Sequence, residues 1–388
     1  MKIAFIGQKG LPAKYGGVER HVHELATRLV KFDFKVIAYA RKWYTNAKNG
    51  EFEGISIKHT PTVRTKHLDT ITHTLFATID AIRSKNDIIH FHGVGPSLLS
   101  WIPRVFAPKT LVITTFHSMD RKQMKWGIFA KLILRMGEWT AIHFAHKTIV
   151  VSDVMAHYLN LKYDVNSVCL PNGVPDLKKS EKFETLKKWG IKKDGYILVV
   201  ARLIPDKGVH NLITAYLQAK KEKINIVTDK KLVIVGAGAS TDKYVNKLHK
   251  MAEGEKDIIF TGVQIDESLR ELFSGASVLV NPSNNEGLPI TVLESMSYGI
   301  STVASDIPAH KQLIKTKDFL FKTDNVNSLM KTLTKVLSKS KGEIKEEIHR
   351  NKTRVQRDYN WDTIVDETIN VYKSEYTNMR KMKLVKTA

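Results

Sequence analysis

The stretch that most limits how this chain can fold runs from Ser277 to Gly299. Ser277-Val278-Leu279-Val280 is an unbroken apolar run that reads as a buried strand. Pro282, Ser283 and two asparagines then break it into a loop. Pro289 suits the first turn of a helix, where its missing N–H would have had no partner. A helix is therefore expected from Ile290 to Tyr298, with Gly299 as its stop. Strand, polar loop and helix start, in that order, put Glu286 in the loop and Glu294 inside the helix. Backbone N–H groups at a helix start attract an anion such as a diphosphate. A carboxylate beside that anion needs a neutral partner, and sugar hydroxyls can donate to it. The spacing suits Glu286 on a hexose and Glu294 on a ribose, with the diphosphate between them. It suits equally a capped surface helix with a chance acid in its loop.

At 388 residues the chain exceeds one ordinary core, so two domains are expected. Lys and Arg outnumber Asp and Glu by 61 to 39, a formal charge of +22. Such a balance implies an anionic partner: nucleic acid, an acidic lipid surface or a phosphorylated substrate. The single cysteine, Cys169, excludes an internal disulfide, fits a reducing compartment and reads as a small buried residue. Neither a leader nor an apolar run of membrane-spanning length is evident. The expected location is the cytoplasm, with attachment at the inner membrane surface as the alternative.

Ile3 to Ile6 reads as a strand, followed by a loop carrying Gly10, Pro12, Gly16 and Gly17. An amphipathic helix then begins at Val18, with Val22, Leu25, Ala26 and Leu29 on one face. Lys35 to Ala40 completes a βαβ unit. Gly16-Gly17 lets the backbone approach a ligand, although two turn glycines in a flexible loop would look the same. The dinucleotide fingerprint and the Walker pattern are both absent, so neither a nicotinamide cofactor nor a P-loop is read here. Asp87 to His92 and Thr110 to His117 are further strands. His117 falls beyond a strand's carboxyl end, where open parallel sheets bind ligands. His90 and His92 share a strand face with no accompanying carboxylate pattern and read as structural rather than metal-binding.

From Lys122 through Lys125 to Trp139 the chain is apolar and aromatic, with Lys131 and Arg135 interleaved. That composition suits a membrane interface or a half-buried helix. Ser152 is placed to cap the helix after the Thr148–Val151 strand. Pro171-Asn172-Gly173-Val174-Pro175 marks a domain boundary. A second α/β series follows, with strands at 196–201, 231–235, 258–263 and 301–305, the last taken as the final core strand. Arg202 and Lys207 lie between a strand end and a helix start, as a diphosphate site would have them or as two solvated charges. The chain closes with helices at 339–357 and 361–376 and a basic tail, Arg380-Lys381-Met382-Lys383, expected to fray.

Glu286-Gly287-Leu288-Pro289 with Glu294 resembles the E-x7-E motif of retaining glycosyltransferases of family four. Pro12-Ala13-Lys14-Tyr15-Gly16-Gly17-Val18-Glu19 is similar to that family's amino-terminal glycine loop. The segments His90 to Pro96, Val151-Ser152, Pro171 to Val174, Arg202 to Gly208, Val235 to Gly238 and Ser305 to Pro308 stand in the family's order. The resemblance covers nearly the whole chain and is strongest to bacterial rhamnosyltransferase-like enzymes of cell-surface polysaccharide and capsule assembly. It implies an α/β GT-B fold: two Rossmann-like parallel-sheet domains facing a central cleft. Residues 1–172 would form the acceptor domain and 173–357 the nucleotide-sugar donor domain. Residues 358–388 would form a helix packed back on the first.

By the same resemblance, Arg202 and Lys207 neutralise the donor diphosphate and Glu286 contacts the transferred sugar. Gly287 and Leu288 offer backbone N–H groups, Glu294 holds the ribose and Val263 lies near the nucleobase. Gly16 and Gly17 close over diphosphate and acceptor, and His117 lies beside the reacting sugar. Ser118 stands where relatives often carry glycine, which leaves the role of His117 less defined. No D-x-D metal clamp is present, so no metal and no cofactor are expected. The partners implied are a nucleotide sugar, a lipid-linked or glycan acceptor and an anionic membrane surface. Two other readings are a nucleotide-sugar epimerase on the same fold and a basic nucleic-acid-binding protein. The first lacks a convincing acid–base pair, and the second lacks any nucleic-acid module.

Overall fold

The computed structural model describes residues 1–14, 16–45, 50–65, 68–123, 126–239 and 241–387. Tyr15 and Lys125 lie outside the described residues, as do the side chains of Lys122 and Lys383. The chain divides into two compact units, Met1–Asn172 with Trp361–Ala388, and Gly173–Asn360. The second unit thus ends three residues later than the expected 357. Tyr359 is the reason: its carbonyl accepts from Val174 N–H at 2.9 Å, holding the end of the Lys341–Asp358 helix within that unit.

The first unit contains β1 (Lys2–Ile6), β2 (Lys35–Ala40), β3 (Gly50–Phe52), β4 (Ile55–His59), β5 (Ile88–His92), β6 (Leu111–Phe116), β7 (Lys147–Val150) and β8 (Val168–Cys169). Their order across the sheet is β3-β4-β2-β1-β5-β6-β7-β8, and only the edge pair β3–β4 is antiparallel. Strands β5 and β6 are buried at every position because helices cover both faces, as parallel sheets require. Alternation along β1 divides the core. Ile3 and Phe5 join the cluster holding Val22, Leu25 and Leu29, while Ala4 and Ile6 face the cluster of Ala77, Ala81 and Phe91.

The first of these clusters is completed by the far end of the chain. Trp361, Ile364, Val365, Ile369, Tyr372 and Met379 of the helix Trp361–Thr387 are all buried in it. That helix runs through the basic stretch expected to fray, so Arg380 to Met382 are helical; burial of Met379 anchors the turn before them.

The second unit contains β9 (Tyr196–Val200), β10 (Lys231–Val235), β11 (Ile258–Gly262), β12 (Val278–Asn281), β13 (Thr302–Ser305) and β14 (Leu320–Phe321). All pair in parallel in the order β11-β10-β9-β12-β13-β14. β14 lies beyond the strand taken as last; its two residues are too few to show a pattern in sequence. In each unit the first strand sits mid-sheet and the chain winds outward in both directions. The resulting switch points, β1/β5 and β9/β12, open crevices at the strands' carboxyl ends.

Two local expectations change. Ser152 is the N-cap residue of the helix Asp153–Tyr163, but its buried hydroxyl makes no capping hydrogen bond. Cys169 is half-buried rather than buried, being on the edge strand β8; burial and Asp153 push its thiol up to about 12.

Candidate functional site

In the second unit, the loops leaving the sheet's carboxyl edge are tied together before any ligand is considered. Lys207 closes the short turn Pro205–Lys207, and Gly208 follows with φ of 62° before the helix Val209–Lys221. A Cβ on Gly208 would lie 2.0 Å from the Pro282 carbonyl oxygen, so this close approach of the β9 and β12 loops requires glycine. Asn284 N–H donates to Asp206 O at 2.8 Å, a second link between the same loops.

These links bring Lys207 Nζ onto Glu286 Oε1, a hydrogen-bonded ion pair between residues 79 apart. Both side chains are mostly buried, at 15% and 12% exposure. Burial would raise the Glu286 carboxyl, but the Lys207 ammonium, with smaller effects of His310 and Ser283, holds it below the ordinary glutamate range.

Behind the pair stands His310, fully buried on the helix Pro308–Leu313. Its Nδ1 lies 2.9 Å from Ser305 O and 3.0 Å from Ser305 Oγ, while Ser305 Oγ donates to Ser283 O at 2.5 Å. Burial pushes the His310 imidazole down to about 4, against the pull of Glu286. His310 therefore stays neutral near pH 7 and props the loop that carries Glu286.

The helix Ile290–Tyr298 forms over the residues expected, with Pro289 one position earlier as its N-cap residue. Its first N–H groups have no intrahelical partner. Gly287 and Leu288 are buried just before it, and Glu294 is 4% exposed within it. Arg202, after β9, is exposed, and its side chain makes no ion pair or hydrogen bond among the described residues. Val263 follows β11 at 46% exposure. Arg202, Lys207, Glu286 and Val263 thus all stand at the same edge of one sheet, although only Lys207 and Glu286 touch.

The first unit assembles a different kind of site. Gly16 precedes the helix Gly17–Lys31 with φ of 105°, and Glu19 in the first turn folds back on the loop. Glu19 Oε1 accepts from Lys9 N–H at 3.1 Å, and a Cβ on Gly16 would meet Glu19 Oε2 at 2.0 Å. On the buried side of that helix is His21, whose Nδ1 lies 3.0 Å from Asn172 Oδ1. His21 packs edge-on to His117, with ring centroids 4.7 Å apart. His117 Nε2 in turn lies 3.1 Å from His92 Nδ1. Burial lowers the pKa of His21 to about 4 and keeps His92 and His117 well below the usual histidine range.

One nitrogen from each of His21, His92 and His117 falls within 4.8 Å of the others, close enough for a metal ion to be considered. Ligating histidines almost always bond their second ring nitrogen to an outer partner. His21 has Asn172 for this, whereas His92 Nε2 is buried with no partner among the described residues. The donor set is thus incomplete at His92. His90, read as structural, bonds the Tyr372 hydroxyl through Nδ1 and the Thr115 hydroxyl through Nε2, both at 2.7 Å.

His21 and His310 are the site residues that sequence reasoning missed. His21 had a signal: it lies four positions before Leu25, on the apolar face of an amphipathic helix. His310 had only its position two residues past the Ser305–Pro308 motif.

Two doubly wound sheets, each with candidate site residues near its switch point, define an α/β protein of the GT-B class. The model for Glycosyltransferase Family 4 matches residues 15–176, and that for Glycosyl transferases group 1 matches residues 181–355. Between them they take in most of the chain, which belongs to the GT-B glycosyltransferases. A Methanocaldococcus jannaschii glycosyltransferase is 26% identical, covering 96% of this chain and 98% of its own. The Escherichia coli UDP-Gal:alpha-D-GlcNAc-diphosphoundecaprenol alpha-1,3-galactosyltransferase is also 26% identical, over 66% and 67% of the two chains. Among solved structures, sucrose-phosphate synthase from Thermosynechococcus elongatus superposes with a TM-score of 0.80 at 19% identity, covering 97% and 99%. Anabaena HepE in complex with UDP-glucose gives 0.79 at 16%, covering 96% and 100%.

Proposed function

We propose that this glycosyltransferase is a retaining enzyme that moves a sugar from a nucleotide donor to a lipid-linked glycan in bacterial cell-surface polysaccharide synthesis. The Lys207–Glu286 pair at the β9/β12 switch point carries this reading. Breaking the anomeric C–O bond builds positive charge on the sugar and negative charge on the leaving diphosphate. Lys207, Arg202 and the N–H groups of the Ile290–Tyr298 helix stabilise the leaving group without a metal. Glu286, kept ionised by Lys207, accepts from hydroxyls of the transferred sugar; Gly287 and Leu288 flank it, Glu294 holds the ribose and Val263 meets the base. The acceptor oxygen forms the new C–O bond on the face the diphosphate leaves, and the diphosphate takes the acceptor's proton. Gly16, Gly17 and His117 serve the acceptor unit.

HepE, similar in fold, is described with UDP-glucose. Several E. coli relatives are named for O-antigen synthesis, and one for a diphosphoundecaprenol acceptor. A membrane-borne acceptor also fits the helix Ile128–His143. Among the described residues no helix is long and apolar enough to cross a membrane. Yet Ile128 and Phe129 are 86% and 84% exposed, and Leu132, Ile133, Met136 and Trp139 are exposed with Lys131 and Arg135. Glu138 pins the other face: it is buried and accepts from Tyr163 at 2.9 Å and Lys162 at 3.1 Å. An apolar face edged with cations suits the anionic inner surface of a membrane.

The test is turnover of a nucleotide-sugar panel, rhamnose donors included, with a polyprenyl-diphosphate glycan, in EDTA, reading the anomeric configuration by NMR. Transfer with retention is expected. Isomerised donor without acceptor would instead identify an epimerase. Binding to anionic vesicles should fall in Phe129→Ser; equal binding to anionic and neutral vesicles would remove the membrane role.

A further inference from the structure

The geometry points to His92 as a positioning residue that fixes the tautomer of His117, leaving His117 one N–H, at Nδ1, to donate to a substrate oxygen. His92 is 1% exposed at the end of β5, edge-on to Phe5 at 5.1 Å and against the His90 ring at 4.1 Å. Burial keeps it neutral, and no carboxylate bonds it among the described residues, so it holds one proton. Its two nitrogens have unequal surroundings. Nε2 is buried with no hydrogen-bond partner among the described residues, while Nδ1 faces His117 Nε2 at 3.1 Å.

A proton on Nε2 would leave a buried donor with no acceptor. A proton on Nδ1 leaves only an unmet lone pair, the commoner and less costly defect. Nδ1–H of His92 therefore donates to His117 Nε2. His117 is neutral as well, so its own proton sits on Nδ1.

The surroundings keep this arrangement in place. Both nitrogens of His90 are already bonded, to Tyr372 and Thr115, so His90 supports the His92 ring without competing for its proton. His21 holds the other side of His117 through ring contact at 4.7 Å. His117 is half-buried, and its Nδ1 makes no hydrogen bond among the described residues. Because the Nε2 lone pair is occupied by His92, His117 presents a donor only. It can hold a sugar oxygen, but it has no lone pair with which to take the acceptor's proton. The identity of that oxygen rests on the glycosyltransfer reading; the tautomer does not.

The full chain labelled with 15N-histidine tests this by two-bond 1H–15N correlation at neutral pH. His117 should show a protonated Nδ1 and a bare Nε2. His92→Phe keeps an aromatic ring beside Phe5 and His90 but removes the donor. His117 should then shift toward its Nε2–H form, and kcat should fall about tenfold with donor KM little changed. His92→Asn, whose amide superposes on Nδ1, should restore the tautomer and most of the rate. If His92→Phe fails to fold, the wild-type spectrum and the Asn variant still decide. A wild-type His117 protonated at Nε2 overturns the proposal. So does a rate that ignores a shift in tautomer, or a Phe variant with both unchanged. The expected tautomer in a chain that transfers no sugar would count against the function and leave this inference standing.

Discussion

The two units are wound alike and differ in what they gather at the same place. At β9/β12 the second unit brings together a lysine and a glutamate, both largely buried and paired. At β1/β5 the first unit brings together His21, His92 and His117, all kept neutral by burial. The fold thus supplies a crevice, and the side chains decide its electrostatics. A fixed cation suits a departing diphosphate. Neutral donors suit sugar hydroxyls, which change little in charge during transfer.

The largest effect should come from removing residues 361–388. Trp361, Ile364, Val365, Ile369 and Tyr372 leave a core to which each contributes about 2–3 kcal/mol, together comparable to a domain's whole stability. Calorimetry should show the first unit's transition lost and the second's kept. Two unchanged transitions would mean the units do not divide the chain as described.

Next in size, Lys207→Ala or Glu286→Gln should lower transfer by about 100-fold or more, the scale of losing one electrostatic contact to a transition state. Equal turnover would place the chemistry elsewhere.

Acid should then weaken both units. His21 and His310 titrate near 4 when folded against 6.5 when unfolded, so the unfolded chain binds more protons between those values. Stability is complete above pH 6.5 and lost as pH falls toward 4, by on the order of 3 kcal/mol per histidine. Glu286 adds a loss at lower pH, as its depressed carboxyl is protonated. Urea midpoints across this range should fall less steeply for the second unit in His310→Asn. An unchanged slope would remove His310 from the account. Smallest, Arg202→Ala should cost about tenfold in transfer with no change in Tm, since the exposed side chain makes no hydrogen bond or ion pair among the described residues.

Local order was legible in the chain. The Ile290–Tyr298 helix, its Gly299 stop and the buried strands follow from residues a few positions apart. Family resemblance named Arg202, Lys207, Glu286 and Glu294; the first three fall in the connections at the carboxyl edge of the second sheet, and Glu294 falls within the helix Ile290–Tyr298. What stayed hidden depends on long-range contact. Nothing near Lys207 announces that Glu286 will be its partner, nor near His90 that Tyr372 will bond it. A single polar residue on an apolar helix face, such as His21, is ordinarily a core position, so its sequence neighbours do not mark it out as a site residue. The edge strands β3 and β8, and β4 beside the first, are short or half-exposed, and their alternation is too brief to read.

The most direct measurement is calorimetric titration of uridine, guanosine, adenosine and thymidine diphosphates into the wild-type chain, Lys207→Ala and His21→Ala. One diphosphate should bind a single site. Lys207→Ala should weaken it about tenfold or more, and His21→Ala should leave it unchanged. Wild-type affinity in Lys207→Ala, or a loss in His21→Ala equal to that in Lys207→Ala, would contradict the assignment of the diphosphate to the second unit.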